Sequence, residues 1–188
     1  MSTFTSTVRI LLIATSIGFA SGASAQGSSD YAALKQREIK ALSIQQVDDL
    51  REGRGMGLSL PAELNGAPGP LHALELRDAL ALTPEQASTL ELIRDRMKQD
   101  AQRLGLAIID AEARLDQAFR SRTIDEAGLR AMTSTTGMLN AELRAVHLLA
   151  HLKTRRLLTD RQVAAYDAAR GDAEGAADGR TGHPGHRH

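Results

Sequence analysis

From residue 29 to about residue 170, apolar side chains recur every three or four positions, the period of a helix buried along one face. The longest run opens at Thr83-Pro84-Glu85-Gln86, with Thr as cap, Pro at the first helical position and Gln at the third. Leu90, Ile93, Met97, Ala101, Leu104, Ile108, Ala111, Leu115 and Ala118 follow at heptad-like spacing and predict a helix to about Arg120. At about 1.5 Å per residue this rod is roughly 55 Å long. Past Ser121, the run Thr123-Ile124-Asp125-Glu126 is a new cap. Leu129, Met132, Thr136, Leu139, Leu143, Val146 and Ala150 then predict a second rod to about Arg156. Two long amphipathic helices joined by so few residues must fold back antiparallel.

Shorter elements flank this hairpin. Ser29 or Asp30 can cap a helix from Tyr31 to about Leu42, and Ser43-Ile44-Gln45-Gln46 is a capping box for another to about Glu52, so residues 26–52 are N-terminal short helices. Residues 53–70 hold five Gly and three Pro, which predicts a long ordered loop or a hinge, with Leu58, Leu60 and Leu64 packing part of it on the helices. Pro70 fits the first turn of a helix from Leu71 to about Ala81, and Thr159 caps a last short helix ending before Gly171. The expected fold is all-α, a helical hairpin domain over residues 71–170 with flanking short helices. Residues 171–188 carry five Gly, no large apolar residue and three His, the composition of a disordered tail. Leu92, Leu106 and Ile109 on the first rod, and Leu148, Leu149 and Leu152 on the second, fall off the seams. The short helices and a second copy of the chain are expected to cover them, which predicts a homodimer.

Residues 1–25 have the composition of a cleaved signal peptide. Arg9 precedes a short apolar run from Ile10 to Ala20, and Ala23-Ser24-Ala25 supplies a small-x-small cleavage site before Gln26. No later segment is apolar enough to cross a bilayer, so the mature chain is expected to be soluble outside the cytoplasm. The 188 residues include 23 basic and 23 acidic side chains, a balance that gives no reason to expect nucleic acid as a partner. Cysteine is absent, which removes disulfides, thiolate catalysis and cysteine-based zinc sites.

Leu82-Thr83-Pro84-Glu85-Gln86 and Leu158-Thr159-Asp160-Arg161-Gln162 are two copies of L-T-x-x-Q on either side of the hairpin, and Leu42-Ser43-Ile44-Gln45-Gln46 is a looser third. Each is a helix start with an anchoring leucine. Paired copies flanking a helical hairpin, behind a signal peptide and without cysteine, resemble the periplasmic LTxxQ family, which includes the Spy and CpxP envelope-stress proteins and the metal-responsive CnrX and ZraP. The resemblance covers roughly residues 71–170 and rests on Leu82, Thr83, Gln86, Leu158, Thr159 and Gln162. It implies a hook-shaped, dimeric, periplasmic binding protein. In the Spy/CpxP manner it would be an ATP-independent chaperone for unfolded envelope proteins, or would modulate a stress response through a sensor protein. The alternative is a heavy-metal sensor or metal-resistance protein. The second motif departs from the usual pattern with Asp160-Arg161.

Six histidines carry the candidate chemistry. His147 and His151 project from one face of the second rod, where two imidazoles can hold Zn, Ni, Co or Cu if a third ligand arrives from another element. His72, with Glu75 one turn later, is the natural source of a third and fourth donor. The same face carries Asn140, Arg144 and Arg155, so a solvated or client-facing stripe is the competing reading. The tail residues His183, His186 and His188 lack a defined ligand geometry. Met97 and Met132 lie on the seams, where core packing explains them better than a thioether copper site does. Met56, between Gly55 and Gly57, is left as a partner contact. Arg144, Leu148, Leu152 and Arg155 form a mixed basic and apolar surface suited to a client or to a dimer interface. There is no H-E-x-x-H, no phosphate-cradling glycine loop and no serine nucleophile setting, so a binding protein without catalysis or an obligatory cofactor is expected.

Overall fold

The structure is a computed structural model that describes residues 26–178, with side chains from Tyr31 to Gly171. The expected signal peptide and the tail histidines lie outside the described residues. Helices are the only regular elements among the described residues: α1 (Gln26–Gln36), α2 (Ile44–Glu52), α3 (Leu60–Glu63), α4 (Pro70–Glu75), α5 (Pro84–Arg120), α6 (Glu126–Leu157) and α7 (Asp160–Asp178). The chain divides after Gln36 into two units. In the first, α1 begins and ends earlier than the expected Tyr31–Leu42 helix, and Lys35 lies over the Tyr31 ring at 4.9 Å. The described residues from Arg37 onward form the second unit.

That second unit is built on the α5–α6 hairpin, as the spacing predicts. Thr83 makes the full capping box with Gln86 at the start of α5. At the start of α6 the cap is Asp125, whose carboxylate accepts from the Gly128 N–H at 2.7 Å, and not Thr123. Thr123 is instead bonded to the Ser121 hydroxyl, because Arg122 takes a left-handed conformation that turns the chain between the rods. The helix expected over 71–81 is shorter: α4 stops at Glu75, and the following turns end at Ala81, also left-handed. The last helix is longer than expected, since α7 continues through Gly171 to Asp178.

Two apolar clusters stabilise this unit. One joins Ala73, Leu80, Leu90, Leu158, Val163 and Tyr166 where α4, α5 and α7 meet. The other joins Leu50 of α2 to Ala101, Leu104, Ile108 and Leu143 along the hairpin. Helix α2 comes so close to α5 that a Cβ on Gly105 would overlap the Leu50 carbonyl. Gly53 ends α2 at φ 67, donating its N–H back to the last turn.

The glutamines of the two L-T-x-x-Q motifs meet each other. Gln86 Nε2 donates to Gln162 Oε1 at 3.0 Å, and Gln162 Nε2 donates to Gln86 Oε1 at 2.9 Å. Each amide also donates to a backbone carbonyl beside the opposite motif, Leu157 at 3.1 Å and Leu80 at 3.2 Å, while accepting from its own cap N–H. Ser or Thr caps explain a single helix start, but this reciprocal clasp explains why both motifs end in Gln.

Candidate functional site

Residues 53–70 are an ordered strap packed on α5 and α6 and not a hinge: Ala67, Pro68, Gly69 and Pro70 are all buried, and α3 lies within the segment. Three contacts hold it. Glu63 accepts the Tyr166 hydroxyl at 2.9 Å and pairs with Arg170 at 3.3 Å. His151 Nδ1 donates to the Ala67 carbonyl at 2.8 Å. Gly69 lies against the His151 ring, where an added Cβ would stand 2.9 Å from Cε1.

Beneath the strap, the buried stripe of α6 changes character. It runs Leu143, His147, Ala150, His151 and Thr154 before reaching Leu158, so polar side chains fill the interval between the two apolar clusters. His147 is 3% exposed and His151 is 5% exposed, which excludes the solvated stripe for these two residues. Asn140 and Arg144, which share their face in the sequence pattern, do face solvent. The strap covers that face only at His147 and His151, and the same face is open to solvent nearer the start of the helix.

A cleft of about 750 Å³ opens between the strap and the hairpin, and His72, His147 and His151 all line it. With Nδ1 donating to the Ala67 carbonyl, the neutral tautomer of His151 carries its lone pair on Nε2. His147 Nε2 is buried and has no hydrogen-bond partner. Burial, reinforced by the neighbouring His151, holds the His147 pKa below the usual imidazole value and keeps the ring neutral. His72 Nδ1 is bonded to Glu75 at 2.8 Å. The carboxylate therefore orients His72 instead of lining the cleft. The three imidazoles do not close on a common point, and among the described residues no group of three His, Asp or Glu side chains is gathered for an ion.

The sequence pattern makes Met56 a partner contact and Met97 a core residue. Both line the cleft. Gly55 packs against His147, where a Cβ would be 3.8 Å from Nδ1, and Met56 follows it in a left-handed backbone at φ 46. A methionine between two glycines was the only signal available in the sequence. The acids that line the cleft are already engaged: Glu52 with Arg54, Asp95 with Arg94 at 2.7 Å, and Glu63 with Tyr166 and Arg170.

The expected client surface follows one side of α6. Arg144 and Leu152 are exposed, Leu148 is half-buried, and Arg155 is bonded to Asp160 at 2.6 Å. Beside it, a groove of about 230 Å³ runs between the rods, where Leu92, Ile93 and Leu149 lie between Arg96 and Lys153. Leu92 is 70% exposed and Leu149 51%. Of the off-seam residues, Ile109 packs partly into the second cluster, while Leu92, Leu106, Leu149 and Leu152 stay exposed within this chain. None of the described helices is long and apolar enough to cross a membrane. The chain matches no family model, and no curated protein or solved structure is significantly similar to it.

Proposed function

We propose that this chain is an exported, periplasmic protein of the LTxxQ type that binds a transition metal in the histidine cleft, as a sensor or buffer. One observation carries the reading: His147 Nε2 is buried without a partner in a cleft that His151 and His72 also line. A native protein rarely leaves a buried nitrogen unbonded, and a bound ion is one standard reason. The surrounding bonds fit that role. Metal-binding imidazoles commonly give their second nitrogen to a carbonyl or a carboxylate, as His151 gives Nδ1 to Ala67 and His72 gives Nδ1 to Glu75. His147 and His151 would hold the ion, and His72, oriented by Glu75, would complete the set only by moving toward them. With His72 drawn in, a bound metal would cross-link α6 to α4 reversibly.

Calorimetric titration with Zn, Ni, Co and Cu, on protein with His183, His186 and His188 each changed to Gln, tests this. One equivalent should bind, and His147→Ala or His151→Ala should weaken binding by about tenfold or more. Absence of heat, or affinities unchanged in both variants, overturns the reading.

The exposed Leu92–Leu149 groove with its cationic rim favours a second activity, ATP-independent holding of unfolded clients. Such a chaperone should suppress aggregation of a denatured client in the presence of chelator. Suppression seen only with metal would exclude it.

A further inference from the structure

The donors left free in the cleft are all uncharged, and that narrows the metal. Resting on the metal-binding reading above, we infer that the cleft takes a soft monovalent ion, Cu(I), held by His147 and His151 with the Met56 thioether as a further ligand. Three observations support the assignment. His147 Nε2 is unpartnered and the His151 tautomer leaves Nε2 free, so two neutral nitrogens are available. Each carboxylate lining the cleft is paired with a guanidinium, and Lys98 adds a positive charge to the wall. A divalent ion would therefore bring two charges among neutral donors with no free acid to balance them, whereas a monovalent ion brings one. Finally, Met56 keeps a left-handed backbone that its side chain disfavours, on a segment whose neighbour Gly55 packs on the His147 ring.

Thioether sulfur selects Cu(I) over the harder divalent ions. Cu(I) also accepts few ligands, which suits a cleft where no three His, Asp or Glu side chains converge. Met97 lines the same cleft from α5, while Met132 lies outside it and serves as the control.

The test uses the full chain with His183, His186 and His188 changed to Gln. Cu(I) is supplied anaerobically as its bicinchoninate complex, with Zn, Ni and Co titrated separately. One equivalent of Cu(I) should leave the chelator, and Met56→Leu should lower its affinity by about tenfold or more while leaving Zn binding unchanged. Silver(I), a redox-inert probe, should shift the Met56 methyl resonance and leave the Met132 methyl in place. Tighter binding of Zn, Ni or Co than of Cu(I) overturns the copper assignment and leaves the metal reading standing. No binding of any ion overturns both. A Met56 methyl that does not move, together with unchanged Cu(I) affinity in Met56→Leu, removes the thioether.

Discussion

Two glycines show how single positions determine this architecture. Gly105 lies where the end of α2 meets α5, and any side chain would drive into the Leu50 backbone. Gly105→Ala is expected to destabilise the protein by about 3 kcal/mol or to displace α2, since overpacking against backbone cannot be relieved by a rotamer change. Urea denaturation measures it. Gly137, with open space around it, is the contrasting position: Gly137→Ala should stabilise by about 0.5–1 kcal/mol through helix propensity alone. His147 adds a pH dependence in the metal-free protein. Its pKa is depressed in the folded state, so between the ordinary value and the depressed one the unfolded chain binds more protons. The stability contributed by its neutral form is complete above about pH 7 and is lost as the pH falls through the folded pKa. Melting temperature should fall over that range, and His147→Leu should flatten the slope.

At the level of elements, the two L-T-x-x-Q motifs act as one device. Each glutamine caps its own helix and bonds the opposite motif, so removing either amide leaves the other with unpaired donors in a half-buried setting. Gln86→Ala and Gln162→Ala should each cost about 1–3 kcal/mol, and the double variant should cost less than the sum. A double-mutant cycle from thermal or chemical denaturation reads the coupling. Additive losses would mean the amides act only as caps. Capping signals and heptad spacing were legible in the sequence at this scale, because they are local: α5 begins and ends where its pattern says. The start of α6, set by Asp125 and not Thr123, has a local cause too. Arg122 turns the chain in a left-handed conformation that its side chain does not advertise.

Across the whole molecule, the hairpin has one side covered by α2, α4 and the strap, while the groove at Leu92 and Leu149 stays open within this chain. Replacing both leucines with Lys should leave the melting temperature nearly unchanged, because surface positions carry little folding energy. Client protection, measured by light scattering, should fall several-fold if the groove is the holding surface. The expected homodimer would draw on the same surface, and sedimentation of this variant beside the parent reports on it.

Periodicity alone established an all-helical hairpin, since a stripe of apolar residues at helical spacing has to be buried against another such stripe. The same letters placed His147 and His151 on one face, yet could not say whether that face meets water or protein. Rotation of α6 about its own axis, set by Leu143 and Leu158 packing into separate clusters, turned them inward. Their company is equally non-local: the Ala67 carbonyl, Gly69 and Met56 are some eighty to ninety-five residues away in the chain, brought back by the strap. Helical period is a property of neighbours along the chain, whereas a binding cleft belongs to segments that meet only after the chain has folded.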